Sequence, residues 1–351
     1  MGKRSSPVPV VAPPPSCPPA FDPVDDDWQD DAESGQDWPR RQAAVPAGTL
    51  GQRLDQFLVT LAPDFSRSYL KTLVESGLVS VDGLCVNSAS RKVSAGQRVE
   101  IELKPTPQSQ AFTPETMDLS AVFEDEHILV INKPAGLVVH PAAGNWTGTL
   151  MNGLLAHHAG AVDLPRAGIV HRLDKDTSGL MVVGKTIQSV TALSRAIAAR
   201  AVSRQYLALV HGAPAARFTV DAPIGRDPVT RVRMAVLASG KEARTDVECL
   251  LTAEVTGASQ PISGVRCTLH TGRTHQIRVH LSHRKHPLVA DALYGGAPAL
   301  GMTRQALHAT RLALAHPVTG EDMVWEAPLP PDMAQAWAEL ARAPQMPIRG
   351  A

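Results

Sequence analysis

Residues 171–180 read HRLDKDTSGL and run at once into the apolar Met181-Val182-Val183. Five ionisable residues fill the first six positions but one, and Asp174 stands between Arg172 and Lys175. A short apolar run bounded by turn-forming residues reads as a core strand, so this charge cluster lies at the mouth of a buried element. Charges beside a core are costly unless they are paired or used. Both the fold and the function turn on what needs a carboxylate there.

Working outward, the chain has 351 residues, enough for two folded units with unstructured segments, and its 44% hydrophobic content can supply their cores. The four cysteines, Cys17, Cys85, Cys249 and Cys267, are far apart and form no CxxC pair, which argues against a disulfide framework or a zinc ribbon. A reducing cytoplasm is the expected compartment. No apolar run approaches the ~20 residues that span a bilayer, and the N-terminus lacks the apolar core of a signal peptide. A soluble protein with no membrane partner is expected.

The net charge of zero hides an asymmetry. Residues 1–39 hold two cations (Lys3, Arg4) against eight anions between Asp22 and Asp37, leaving that segment at −6 and the remainder at +6. An acidic tail on a mildly basic body occurs in nucleic-acid binders and also in solubilising extensions. Residues 1–46 are Pro-rich and acidic without helix or strand periodicity, so they are expected to be disordered, with Trp28 and Trp38 as unusual aromatics.

From residue 47 to 104 the pattern is regular. Leu54, Phe57, Leu58 and Leu61 recur at helical spacing, and a second helix follows with Ser66 as N-cap, Tyr69, Leu70, Leu73 and Val74 as its apolar stripe and Gly77 at its end. Val79 and Val81, the Asp82-Gly83 turn and Cys85-Val86 form a hairpin signal, and Val99 to Leu103 a further strand. Arg67 and Lys71 share a face away from the apolar stripe, where they can contact phosphate or be an ordinary solvated face. Together these features resemble an S4 RNA-binding domain.

Residues 105–117 read as a Pro-rich linker, and residues 118–345 as a second domain. It opens with a strand at Ile128 to Ile131, a break at NKPAG (132–136) and resumed strand character at Leu137 to Val139, a punctuation that suits a sheet edge. A short helix at Thr149 to His157, the stretch at 171–183, a helix from Val190 to near Arg200 and a strand at Tyr206 to Val210 follow. Further strands are expected at 218–220, 231–236, 242–250 and 264–269, with a later one at 307–309 and 311–315. The second residue-rich site is TGRTHQIRVHL (271–281), followed by loop-like HPLVADALYGG (286–296) and a last helix after Pro331.

An ionised Asp in a closed pocket needs a cation nearby, because burial alone raises its pKa, and Arg172, Arg273 and Arg278 are available. On residue types alone a structural ion-pair network and a catalytic carboxylate are equally open. His275, His280 and His283 lack the i, i+4 spacing and acidic partner of a zinc-binding helix, so no metal and no cofactor are expected.

HRLDKDTSGL, RQYLALVHG (204–212) and GRTHQIRVH (272–280), in that order and spacing, with NKPAGLVVHP before them and HPLVADALYGG after, resemble the RluA family of pseudouridine synthases over about 300 residues. The resemblance implies an α+β protein: an N-terminal S4-like RNA-binding domain plus a catalytic domain built on a mixed, largely antiparallel sheet flanked by helices. It implies site-specific conversion of uridine to pseudouridine in structured RNA, with 23S ribosomal RNA or an assembling large subunit as partner; a monomer that does not bind DNA is expected. A transfer RNA substrate, a noncatalytic S4 ribosome-assembly factor and a carboxylate hydrolase using Asp174 and His275 are the alternatives.

Residue by residue, the resemblance makes Asp174 the nucleophile, with Asp176 as the near alternative. Tyr206 would stack on the uracil and take the C5 proton, and Arg278 would pair with Asp174. Arg172 would fill the space left by the extruded base, His171 would orient the loop, Lys175 and Asp176 would support it, and Arg273 and His275 would touch RNA. Arg204 stands where the family often has Lys, suited to phosphate contact.

Overall fold

The computed structural model describes residues 39–48, 51–104, 111–142, 144–230, 232–348 and 350. The acidic stretch through Trp38 and residues 105–110 of the expected linker lie outside the described residues.

The first unit contains β1 (Arg40–Ala44), β2 (Gln52–Arg53), α1 (Leu54–Leu61), α2 (Arg67–Glu75), β3 (Val79–Val81), β4 (Leu84–Cys85), β5 (Lys92–Val93) and β6 (Arg98–Glu102). The expected helical stripe is its core: Leu54, Leu58, Leu70 and Val74 pack against Val79, Val81, Val99 and Ile101. Ser66 caps α2 by accepting the Tyr69 N–H at 3.2 Å. Asp82 and Gly83 take φ of 53° and 79°, the left-handed pair that a two-residue hairpin turn requires.

One expectation fails here. Residues 40–44, assigned from sequence to the tail that ends at 46, form β1 and pair antiparallel with β6 as one end of a sheet ordered β1-β6-β3-β4. RRQAA has no β-branched residue to mark it. Its place comes from the ladder with β6 and from Arg40–Glu102 pairing across it at 3.1 Å.

The second unit comprises β7 (Ala121–Glu124), β8 (Ile128–Lys133), α3 (Leu150–His157), β9 (Ser178–Gly184), α4 (Ile187–Ala198), β10 (Ser203–His211), β11 (Arg217–Asp221), β12 (Ile224–Arg226), β13 (Met234–Val236), β14 (Arg244–Ala253), β15 (Ile262–Leu269), α5 (Gln276–His283), β16 (Leu307–Ala315), β17 (Asp322–Glu326) and α6 (Pro331–Arg342). Among the described residues the main sheet runs β11-β14-β15-β10-β16-β9-β8-β7, with β17 also on β16. The β9–β16 pair is parallel and the other pairs are antiparallel, so the sheet is mixed and largely antiparallel.

Strand alternation sends Leu129, Ile131, Met181 and Val183 to one face, against α3 and α5, while Ile128, Val130, Leu180 and Val182 pack on the other against α4 and Trp325. Burial on both faces explains why β8 and β9 read as continuous apolar runs. It also corrects the expected sheet edge, since β8 lies between β9 and β7. Leu137 to Val139 do not resume a strand. The carbonyls of Val138 and Val139 instead accept the first N–H groups of α3, from Leu150 at 2.8 Å and Met151 at 3.2 Å, donors that a helix start leaves without partners.

Gly179, the second residue of β9, sits at the parallel seam opposite Ala309. A Cβ there would lie 2.3 Å from the Ala309 carbonyl oxygen, so only glycine lets β9 approach β16 directly behind the loop.

Candidate active site

The loop between residues 171 and 177 arrives at the head of β9, and three anchors, of which Lys133 is buried, define its path. The Lys175 carbonyl accepts Gly136 N–H and Lys133 Nζ, both at 2.9 Å, while the Asp176 carbonyl accepts Arg304 Nη1 at 2.8 Å. Asp174 closes the turn by accepting Thr177 N–H at its carbonyl, 3.1 Å away. Lys175 and Asp176, expected to support the loop through ion pairs, form none among the described residues; backbone carbonyls carry that task. His171 ties the loop to β9, its Nε2 accepting Val182 N–H at 3.0 Å. Burial, with Arg204 nearby, holds its pKa down to about 3, so the ring is neutral.

The carboxylate of Asp174 lines a cavity of about 390 Å³ with Tyr206, Arg172, Arg273, His275 and Arg278, whereas Asp176 does not line it. The sheet brings these together from distant parts of the chain: Tyr206 lies on β10, whose neighbour β15 leads into the 271–275 turn and α5. Arg278 Nη1 donates to Asp174 Oδ2 at 3.1 Å, across a separation of 104 residues. His275 adopts a left-handed φ of 54° at the start of α5 and places Nε2 3.9 Å from Asp174 Oδ1, beyond hydrogen-bond reach. Burial lowers the pKa of His275, against the opposing pull of Asp174.

Arg278 does more than the sequence pairing foresaw. Its Nε and Nη2 donate to Asp291 at 2.8 and 2.9 Å, and its guanidinium lies 4.9 Å from the centre of the Tyr294 ring. Burial works against its charge, and the hydrogen bonds and charge of Asp291, with Asp174 adding to them, more than offset this, so its pKa is held above the ordinary value. Asp291 is only 2% exposed. It sits inside the HPLVADALYGG stretch, and an acid within an apolar run was the available signal.

Lys133 was likewise missed. It is 0% exposed and gives its three ammonium protons to the carbonyls of Pro134, Leu137 and Lys175. Burial lowers its pKa to about 8, with Asp176 and Asp174 opposing the shift. Arg304 joins the loop to α6 through Asp332, at 2.7 and 3.0 Å.

Tyr206 is 5% exposed, and burial raises its pKa, with Arg204 opposing and Asp174 adding to the shift. Its hydroxyl is therefore protonated near neutrality, and taking up a proton there requires passing one on. Arg172 is exposed at the rim. Arg273 donates from Nε to the Glu242 carbonyl at 3.0 Å, leaving the rest of its fork at the cavity. In the first unit, Arg67 is committed to buried Asp55 at 2.8 Å, and Lys71 pairs with Glu75 at 3.4 Å along α2.

Such a site offers a carboxyl group paired with an arginine, beside an aromatic ring in a cavity rimmed by cations. That suits attack on an electron-poor carbon of a flipped nucleotide.

The sequence pattern of the RNA pseudouridylate synthase family matches residues 127–283, and that of the S4 domain matches residues 52–99. The chain belongs to the RNA pseudouridylate synthase family. It is 46% identical over 306 residues to the ribosomal large subunit pseudouridine synthase D of Pasteurella multocida, covering 84% of this chain and 92% of that one. The protein of the same description from Nitrosomonas europaea is 45% identical over 315 residues, covering 88% and 90%. Among solved structures, human RNA pseudouridylate synthase domain containing 1 aligns at a TM-score of 0.50 and 27% identity, over 66% of this chain and 97% of its own.

Proposed function

We propose that this enzyme isomerises specific uridines of large-subunit ribosomal RNA, with Asp174 as the nucleophile, Arg278 as its counter-ion and Tyr206 as the ring that stacks on the uracil. In the reaction the N1–C1′ bond breaks, the base turns, C5 bonds to C1′, and the proton lost from C5 is balanced by one gained at N1. The carboxylate attacks either C1′ or uracil C6. One observation carries the assignment of the nucleophile: among the described residues Asp174 is the sole acidic residue lining the cavity, and Arg278 reaches one of its oxygens while His275 stands 3.9 Å from the other.

The substrate class rests on the shared description of the relatives and on the S4 unit. Pseudouridine mapping of cellular RNA with and without this chain tests it: sites should disappear from large-subunit RNA. Loss confined to transfer RNA would overturn the substrate. In purified protein Asp174→Asn should abolish product while RNA binding persists, and retained turnover would sink the assignment of the nucleophile.

A further inference from the structure

One short turn supports both groups that face the Asp174 carboxylate. In the 286–296 stretch a single 3-10 turn, Ala292–Tyr294, follows Asp291, whose carboxylate holds Arg278. At its end the Tyr294 hydroxyl meets His275 Nδ1 at 2.8 Å and the Met234 N–H of β13 at 2.9 Å. Tyr294 is 4% exposed and does not line the cavity, while His275 does. What the Tyr294 hydroxyl contributes to the chemistry therefore passes through His275.

The hydrogen bonds around this hydroxyl leave one arrangement of protons in which each group is satisfied. Burial lowers the pKa of His275, so its ring is neutral and has one proton for two nitrogens. The Met234 N–H can only donate, and the Tyr294 oxygen accepts it. If His275 Nδ1 donated as well, the hydroxyl proton would have no acceptor among the described residues, an empty buried donor of the kind folds rarely keep. If the hydroxyl instead donates to Nδ1, both groups are satisfied and the ring proton sits on Nε2.

That nitrogen stands 3.9 Å from Asp174 Oδ1 and makes no hydrogen bond among the described residues. A proton there presents an N–H to the carboxyl oxygen, where a lone pair would repel it. His275 reaches this position at a left-handed φ of 54°, a costly backbone that persists where the surroundings fix a functional side chain. The guanidiniums of Arg278 and Arg233, 4.9 and 5.3 Å from the centre of the Tyr294 ring, draw electron density toward themselves and make the hydroxyl a better donor.

We propose that Tyr294 is a positioning residue: its hydroxyl locks neutral His275 in the tautomer protonated at Nε2, so that a donor and not a lone pair meets the uracil as it is released. The meeting with uracil rests on the pseudouridine synthase reading; the placement of the proton does not. When N1–C1′ breaks, the bonding pair stays on the uracil and its charge spreads onto the carbonyl oxygens. A neutral imidazole N–H held in place suits such charge and keeps its proton throughout.

The test uses the full chain. In protein isotope-labelled at the histidine ring nitrogens, the His275 signals are those absent from His275→Asn, a residue that tolerates the left-handed backbone. The wild type should show Nε2 bonded to hydrogen and Nδ1 as a lone-pair nitrogen that accepts a hydrogen bond. Tyr294→Phe, which keeps the ring beside Arg278 and Arg233, should shift the Nδ1 resonance and bring in the form protonated at Nδ1. A wild-type ring protonated at Nδ1, or His275 signals unchanged in Tyr294→Phe, would overturn the proposal whatever the substrate is.

Kinetics supply the second arm, on a synthetic stem-loop that the wild type is first shown to convert. Absence of conversion would overturn the proposed function, and with it uracil as the target of the donor, while the spectra still decide where the proton sits. Tyr294→Phe should lower the single-turnover rate on saturating RNA roughly tenfold with RNA affinity unchanged, and His275→Asn should lower it about 10²-fold or more. In the His275→Asn background Tyr294→Phe should cost nothing further, because its route to the chemistry is gone. Equal losses in both backgrounds would make Tyr294 a prop for Arg278 or for β13 and overturn its role as the partner of His275.

Discussion

Arg278 gives Asp291 two N–H bonds, at 2.8 and 2.9 Å, and gives Asp174 one, at 3.1 Å. The stronger, bidentate pairing is thus to the carboxylate that faces away from the cavity, and Asp291 sets the plane of the guanidinium. Asp174 receives a single N–H from Arg278 and keeps the rest of its lone pairs for substrate. Asp291→Asn should leave Arg278 free to swing fully onto Asp174. A misplacement of this kind costs about 10²-fold in rate, to be read in single-turnover kinetics with RNA affinity little changed. Asp291→Ala, which breaks a buried pair, should also cost on the order of 3 kcal/mol of stability in denaturant melts.

Tyr206→Phe separates stacking from proton transfer. The ring stays on β10 in the core that contains Ala208, Cys267 and Ala309, so RNA binding should persist. If the hydroxyl relays the C5 proton, turnover should fall by about 10²–10⁴-fold, with a large isotope effect when C5 carries deuterium. An unchanged rate would remove Tyr206 from the chemistry and leave it a packing residue.

Lys133 gives the reaction an alkaline limit. Its ammonium has one proton for each of three carbonyls, one of them in the Asp174 loop, and the neutral amine has one too few. Turnover should therefore decline with a midpoint near pH 8 as the folded protein loses that proton. The sign for stability is opposite. The unfolded chain keeps its proton to about 10.5 and so binds more protons than the native state between 8 and 10.5, and over that window the contribution of Lys133 to stability rises with pH. Lys133→Met should start at a lower rate and lack the limb, as a pH–rate profile of the two proteins will tell.

Much of this was legible in HRLDKDTSGL and its two companion motifs because each joins a charged loop to a run of apolar residues, and that junction is visible without coordinates. The pairing of Arg278 with Asp174 followed from family resemblance. What escaped notice were groups whose role lies in what they are buried against. Asp291 and Lys133 are ordinary letters in sequence and become distinctive only at 2% and 0% exposure. Strand β1 was missed for a related reason: an exposed edge has little apolar alternation to display, and its register is set by β6, some 58 residues away in sequence. Arg67, by contrast, was legible as a basic face of α2 but not as the partner of Asp55.

Asp55 offers the last test, in the S4 unit. It is 3% exposed and receives Arg53 at 3.0 Å and Arg67 at 2.8 Å. The Arg53 hydrogen bonds, against the cost of burial and with help from Arg67, hold its pKa down to about 2. A carboxyl depressed in the folded state stabilises fully above its unfolded value near 4 and loses that contribution as pH falls toward 2. Protection of α1 and α2 amides from hydrogen exchange should therefore drop through that window in the wild type, more steeply than for Asp55→Asn, which begins lower. Because the same carboxylate braces Arg53 and Arg67 toward solvent, Asp55→Asn should also weaken RNA binding at neutral pH while leaving turnover of bound RNA intact. Loss of turnover on saturating RNA would show that the brace serves the catalytic unit instead.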